Sequence, residues 1–569
     1  VSTPASQIEE EIRQGTFLKN LSFEAADKAL ALKDDEKKDI DSKEKYYNED
    51  HYQDGEGWIG ARPDTNSPDI EQIFDLLKRG FVSKNCVAEV TDREKDAVIG
   101  HQPNWIVTVR RPLKKIPKQI PDPAFVPDPA NPTAEPPMID DPAGATVDEP
   151  LKADEQQRVD ELNALLIEWW DTHEALTALQ TATVRKLLHG RGYLRLFIPP
   201  IKRKNGVVPT AKDLREAGKL IFLETPEVVD AQIISDPLSM DRVGLSRFMV
   251  GDDKPVIEAV GLDENNQTVI RIIPRDETLI KGGESTPLSL GERLTLYEMK
   301  GKRLVTKQII SQQKLLNLAL TMCGYNLTES GFAEDTVTNA ELEYDTVSDL
   351  TAAGGKRQIP KALPRGPGAV RNFVGLQFVD RDGKLQILTP GVHHREPVPV
   401  DTFTNSKALA NRTILEEAHQ IHADIAGDAA VSGESRITAL ADFVIHCLDT
   451  KTSVDAAGTW LLETVGAYSA QLSGQKDRYI DLRINFDCKI DTGRLSPDER
   501  TALISEVDKK LRSRKSYMLI TGQTDPEAEL SQILSESRQL QKLMPAPTPP
   551  PAPGNNPPGN QPPAPPAGQ

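Results

Sequence analysis

The chain runs to 569 residues, of which 38% are hydrophobic and 27% charged, enough for a sizeable core in several domains or in one elaborate subunit. Its 68 Lys and Arg against 86 Asp and Glu give a formal charge of −18, which excludes a protein that coats DNA with an overall basic surface. The same balance suits an ordinary acidic globular protein, or a channel whose wall repels phosphates and lets a duplex slide.

The four cysteines, Cys86, Cys323, Cys447 and Cys488, are scattered without a C-x-x-C pair, so neither a zinc site nor a disulfide framework is expected. No apolar run approaches the roughly 18 residues a membrane span needs. The opening VSTPASQIEEEIRQGTF lacks the apolar core of a signal peptide. A soluble chain made in a reducing cytoplasm, with no membrane partner, is the expectation.

In chain order, residues 66–100 carry apolar positions at helical spacing with a break near Gly80. Prolines crowd residues 112–150, where neither a helix nor a central strand can continue, which predicts an extended insertion. Residues 151–189 read as one long helix with the stripe Leu162, Leu165, Leu166, Trp169 and Trp170, ended by Gly190 and Gly192. A strand, YLRLFIPPI, follows directly. Short alternating runs then fill 217–310, among them GKLIFLE, DAQIISDP, KPVIEAVGL and TVIRIIPRDE. These predict a mixed α/β body.

The spacing predicts a helix over 307–327, about 30 Å long at 1.5 Å per residue. Ile309, Leu316, Leu320, Cys323 and Leu327 fall on one face and Leu315, Leu318 and Met322 on a second. Lys314, Asn317 and Thr321 form the remaining polar strip. Apolar surface on two sides suits a helix wedged between neighbours, whether in a monomer core or between copies in a ring. Turn-rich sequence follows, with a hairpin expected around Asp380 to Gly383. A second helix is predicted from Asp401 to Ile425, with Ile414, Ala418, Ile421 and Ile425 as its stripe and Glu416, Glu417, Gln420 and Asp424 as its polar side. After a loop of small residues, a long helix begins at Ser432 or Ser435 as cap and repeats apolar residues at Ile437, Leu440, Val444 and Leu448. A strand is expected over 479–490 and helix from Ser496 to about Leu543, opened by the capping box SPDE. The proline-rich end, about 545–569, has almost nothing to bury and is expected to be disordered.

Three groups of residues are candidates for function. The loop Ala426, Gly427, Asp428, Ala429, Ala430, Val431, Ser432, Gly433 and Glu434 has small residues that permit many backbone conformations. It has no Lys or Arg for tight phosphate binding, and by itself it reads better as a plain inter-helix connection. The basic cluster Lys356, Arg357, Lys361, Arg365 and Arg371 could touch phosphates or an acidic partner, or be a solvated loop. His419 and His422 stand at i, i+3 and would need Glu416 as a third ligand, so a surface or interface pair is the expectation, while the adjacent His393 and His394 point apart in extended backbone. No phosphate-binding G-x-x-x-x-G-K-[ST], H-E-x-x-H or G-x-S-x-G occurs, so no enzyme activity, cofactor or metal is expected.

The order of several segments resembles the portal proteins of tailed bacteriophages, the siphophage-type head–tail connectors. The resemblance is carried by YYNEDHYQDGEGWIGARP at 46–63 and FVSKNCVAEVTDREKDAVIGHQPNW at 81–105. It continues in LVTKQIISQQKLLNLALTMCGYNLTESGF at 304–332 and ILEEAHQIHADIAGDAAVSGESRITALADF at 414–443. Together these span most of the chain from about 46 to 535. The resemblance implies an α+β portal fold in a ring oligomer, commonly a dodecamer: a mixed α/β wing, a two-helix stem, a small β-containing clip and a helical crown. Here 1–45 would be an N-terminal arm, 46–306 the wing with its insertion at 112–150, 307–329 and 400–425 the stem helices, and 330–399 the clip. Residues 426–434 would be a tunnel loop facing DNA, 435–495 a long helix and wing return strand, 496–543 the crown and 544–569 a tail. Glu416, Glu417 and Asp424 would make an acidic stripe in the lumen, and the basic cluster a docking patch. The implied setting is one capsid vertex of the virion, reached from the host cytoplasm. Implied partners are further copies of the chain, the large terminase subunit, major capsid and scaffold proteins, a head-completion adaptor, and double-stranded DNA held without sequence preference. A capsid-assembly scaffold or minor head protein that never conducts DNA is the alternative.

Overall fold

The computed structural model describes residues 21–51, 80–117, 119–121, 138–140, 146–199, 211–236, 241–250, 254–276, 282–331, 335–340, 344–348, 356–360, 375–394, 398–425 and 433–490, with scattered residues beyond 500. It is mixed α and β, 49% helical and 21% strand. Residues 493–569 separate as a second unit, in which every described residue, Thr501, 504–507, Arg514, Tyr517, Leu530 and Ile533, is helical.

Helices α1 (Phe23–Leu30), α2 (Asp34–Tyr47) and α3 (Cys86–Ile99) precede strand β1 (Asn104–Val109). The described parts of the proline-rich insertion, 112–117, 119–121, 138–140 and 146–150, contain no helix and carry four short strands. Strands β2 (Lys115–Pro117) and β5 (Thr146–Asp148) pair antiparallel, as do β3 (Gln119–Pro121) and β4 (Met138–Asp140). Two-stranded ribbons have only edges, and edges tolerate a residue without an N–H. Arg111 clasps the root of this insertion. It donates to both carboxylate oxygens of Glu155, at 2.9 and 2.8 Å, and to Glu149 at 2.5 Å. The guanidinium, helped by the Lys152 N–H, holds the Glu155 carboxyl down to about 2. The clasp is therefore intact above the ordinary glutamate value and is lost only as pH falls through that depressed one.

The single helix expected over 151–189 is two, α4 (Ala153–Thr172) and α5 (Ala175–His189). Glu174 takes the left-handed conformation at φ 48°, and His173 closes the first helix by stacking on Trp169 at 5.1 Å. The predicted stripe Leu162, Leu165, Leu166, Trp169 and Trp170 is buried throughout. Gly190, at φ 82°, ends α5 as expected.

Beyond it, β6 (Arg191–Phe197) lies between β13 (Leu296–Lys300) and β7 (Phe222–Glu224), with the short helix α6 (Leu214–Gly218) ahead of β7. A five-stranded antiparallel sheet runs β12 (Gly283–Glu284), β11 (Thr268–Pro274), β10 (Lys254–Leu262), β9 (Arg242–Val250), β8 (Ala231–Ser235). Its central strands are buried on both faces, as their largely apolar runs lead one to expect, with Glu258 and Arg271 as the interruptions.

After α7 (Lys307–Gly331) come β14 (Asp335–Thr338), β15 (Tyr344–Ser348), β16 (Lys356–Pro360), β17 (Gln377–Val379), β18 (Leu385–Ile387) and β19 (Gly391–His394). Then follow α8 (Val400–Glu417), the short α9 (His422–Ile425), α10 (Gly433–Leu472) and β20 (Leu482–Asp487). Strand β20 returns to pair antiparallel with β1, Ile484 opposite Val107.

The main core forms around α10, a 40-residue helix of roughly 60 Å. Its second half is largely enclosed, with Val454, Ala457, Leu461, Leu462, Val465 and Tyr468 buried, while Asp455 and Glu463 form ion pairs at its edges. Glycines let neighbours close on it: a Cβ on Gly458 would fall within 2.4 Å of the Phe486 ring. That ring is itself held at 5.8 Å from Trp170 and cannot step aside. Gly458→Ala is therefore expected to cost about 2–3 kcal/mol by overpacking, read by chemical denaturation. A loss below 0.5 kcal/mol (roughly the noise for a surface change) would mean the ring has room to move.

Candidate functional site

Helices α7 and α8 form an antiparallel hairpin on the body. At the near end Thr306 Oγ1 donates to Glu417 Oε1 at 3.2 Å. At the far end the Asn326 side chain donates to the Val398 carbonyl at 2.8 Å and accepts from its N–H at 3.0 Å. The two stretches between these pins are of nearly equal length, so the helices run side by side without slack. Ile309, Leu316, Ala410, Ile414 and Ala418 pack with Tyr46, Val87, Val90 and Leu187 beneath them. Leu327, placed on the same stripe by spacing, is 58% exposed.

The polar strip predicted on α7 faces inward. Asn317 and Thr321 are fully buried together with Gln313, while Lys314 is half-buried. The cause is the non-helical run 81–85, whose backbone groups need partners. Thr321 Oγ1 accepts from the Val82 N–H at 3.0 Å and lies 3.2 Å from the Val82 carbonyl. Gln313 accepts from the Cys86 N–H at 3.0 Å and donates to the Lys84 carbonyl at 2.7 Å and to Asn317 at 2.9 Å. Asn317 donates to His51 Nδ1 at 3.1 Å, which leaves Nε2–H to serve the Tyr46 carbonyl at 2.9 Å. A slide of α7 by one residue would break the whole set. Gln313→Leu keeps the volume but removes three hydrogen bonds, to the Cys86 N–H, the Lys84 carbonyl and the buried Asn317, while the Cys86 N–H still reaches the Lys84 carbonyl at 3.1 Å. A loss of about 1–3 kcal/mol is expected, and a thermal melt like the wild type's would show that water replaces the amide.

The second hairpin helix is shorter than predicted. It stops at Glu417, His419 turns at φ 55°, and the chain resumes as α9. Gln420, expected on the polar side, is fully buried: it donates to the Val90 carbonyl at 2.7 Å and accepts from Arg93 at 2.8 Å. The three acids expected as one stripe are consequently split. Glu416 is exposed and paired with Arg412 at 2.9 Å, Glu417 serves the Thr306 pin, and Asp424 stands on the separate α9.

Of the small-residue loop, Ala426, Gly427, Asp428, Ala429, Ala430, Val431 and Ser432 lie outside the described residues, whereas Gly433 and Glu434 already open α10. In the basic cluster, Lys356 and Arg357 stand on β16 opposite Ser348 and Val347; Lys361, Arg365 and Arg371 lie outside the described residues. The predicted hairpin at 380–383 forms between β17 and β18, with Gly383 at φ 77°. Val379, Leu385 and Ile387 share one face of it, 62–63% exposed. His393 and His394 pair on β19 with Thr336 and Asp335. His419 and His422 do not converge: His419 stacks on His446 at 4.5 Å and His422 on Phe443 at 4.5 Å. Among the described residues no cluster of three or more His, Cys, Asp or Glu is arranged to hold a metal.

One constellation was invisible in the sequence. Glu94 of α3, fully buried, accepts from Thr450 Oγ1 at 2.5 Å. Thr450 in turn accepts from the buried Lys186 of α5 at 2.8 Å, and Lys186 lies 3.3 Å from Asp449. The second Glu94 oxygen has no hydrogen bond; its nearest cationic partner is His446 Nε2 at 3.6 Å. His419, stacked on His446, meets Asp442 at 3.1 Å. Burial pushes the Glu94 carboxyl above the usual glutamate range despite Thr450 and Lys186. Burial, with His419 and Lys186 adding positive charge, pushes His446 below the usual histidine value. A Cβ on Gly301 would fall 2.3 Å from Lys186 Cε, so the end of the lysine would have to shift to admit any other residue there.

No protein-family model matches the chain, and no curated protein matches it.

Proposed function

We propose that this chain is one subunit of a portal ring at a capsid vertex, a conduit for packaging and ejecting double-stranded DNA that docks a terminase motor and then head-completion proteins. The observation that carries the reading is the α7–α8 hairpin, pinned at both ends. The segment 332–399 is inserted at its far end, and at its near end the chain leads through 426–432 into a 40-residue helix. That arrangement suits a stem with a clip beyond it and a tunnel loop behind it. The acidic balance, −18 per chain, suits a channel that must not hold phosphates. With no chemistry of its own in this reading, the ring draws its translocation energy from a separate ATPase.

The apolar face of β17–β18 supports contact between copies, since exposed apolar surface of this kind marks an interface. Val379→Asp with Leu385→Asp should leave the fold intact, because both side chains are solvent-facing, yet stop ring closure. Electron microscopy of the purified protein tests the reading: class averages should show closed rings with a channel wide enough for a duplex. Only monomers or filaments, in the wild type and across salt and concentration, would favour a scaffold that conducts nothing.

A further inference from the structure

We propose that Glu94 and His446 form a proton-operated latch that docks the first half of α10 and the His419 turn onto α3, and that protonating both groups releases them. The inference concerns the fold of one chain and holds whether or not the chain forms a conduit.

The geometry leaves one contact unfinished. Thr450 engages one Glu94 oxygen, the other has no hydrogen bond, and the group facing that second oxygen is His446 Nε2, at 3.6 Å. With Glu94 ionised, either form of the imidazole can place an N–H toward it. With Glu94 protonated, neutral His446 can accept its proton. Only when both carry the added proton do two donors meet, with an imidazolium enclosed between Lys186 and the His419 ring. The titratable and charged groups around the pair are Lys186 from α5, Asp442, Cys447 and Asp449 from α10, His419 from the turn after α8, and Lys302, whose backbone N–H reaches Asp449 at 3.2 Å. Asp449 and Asp442 favour a charged His446 from a distance, but they are hydrogen-bonded to Lys186 and His419, and burial, His419 and Lys186 outweigh them.

The first half of α10 buries Ala439, Phe443 and Cys447, while Ile445 and Leu448 are exposed, unlike the enclosed second half. The contact is also the place where α3, α5, the His419 turn and α10 meet.

The two groups work in opposite senses. His446, depressed in the fold, contributes stability that is present above the ordinary histidine value near 6.5 and is lost as pH falls through the lower folded value. Glu94, raised in the fold, contributes most below the ordinary glutamate value near 4.5, and its contribution is lost as pH rises through the folded value. Release on acidification is therefore the work of His446, facing Glu94 in its neutral form. Glu94→Gln, a mimic of that neutral acid, should keep the acid response, and His446→Asn should abolish it.

The test is hydrogen exchange by mass spectrometry on the full chain at pH 7.2 and 5.2, values chosen to bracket roughly 6.5, corrected for intrinsic rates. In the wild type and in Glu94→Gln, peptides covering 433–448 should lose at least tenfold in protection at the lower pH. In His446→Asn they should lose less than twofold, while peptides from the second half of α10 stay unchanged in all three. His419→Asn separates the two stacked rings and should retain the response. Equal wild-type protection at the two pH values overturns the latch by itself. So does a response that survives in His446→Asn, or one that disappears only in His419→Asn.

Discussion

Arg195→Ala should destabilise the protein by about 3–5 kcal/mol, because it strands a buried carboxylate. Arg195 sits on β6 at 1% exposure with its guanidinium sandwiched between the Phe197 and Phe248 rings, 4.6 and 4.4 Å from their centroids. Two of its nitrogens meet the two oxygens of Glu258 at 3.1 Å each, and a third meets Glu224 at 2.6 Å. Glu258 is as buried as the arginine, while Glu224 is half-exposed and can be rehydrated. Alanine removes the cation, the ring contacts and the packing at once, and leaves Glu258 charged between two sheets. The burden comes from the orphan, not from the bond. Arg195→Met combined with Glu258→Leu should therefore recover most of the loss, since apolar replacement of a whole buried pair is often neutral. Denaturant midpoints of the single and double variants decide it. A double variant as unstable as Arg195→Ala would show that the ion pair itself holds the two sheets together.

Deleting 427–432 and bridging the gap with two glycines should leave ring assembly unchanged and reduce packaged DNA to background. Assembly in the conduit reading rests on the hairpin and the β17–β18 face, neither of which includes this segment. Small residues without Lys or Arg fit a loop that follows a moving duplex without gripping it. Particles carrying the deletion would be counted by microscopy and their DNA measured after nuclease treatment. Rings that package and retain DNA normally would remove the loop from the mechanism, and failure to form rings would make it an assembly element.

The helices of the hairpin and the stripe of α4 were legible in the sequence because apolar residues recur at the helical period. The breaks were not. Glu174 and His419 adopt positive φ without being glycine or asparagine, and no local pattern marks either. The inward turn of Gln313, Asn317, Thr321 and Gln420 was hidden for another reason: periodicity reads polar residues as solvent-facing, whereas these serve backbone groups of distant segments. Glu94, Lys186 and Thr450 are assembled from three helices separated by up to 356 positions. Each alone looks like an ordinary charged or polar helix residue, and only tertiary placement makes a site of them.

The pins and the buried amide row of α7 also decide how the hairpin carries mechanical load. Hydrogen bonds between the 81–86 run and Gln313 and Thr321 tie the helix to the body at two points about two turns apart. A pull along that axis stretches them together, in shear, whereas a pull that peels the helix away meets them one after another. The hairpin is thus stiff lengthwise and comparatively weak to sideways prying, so force applied at residues 332–399 reaches the body as a push or pull with little bending.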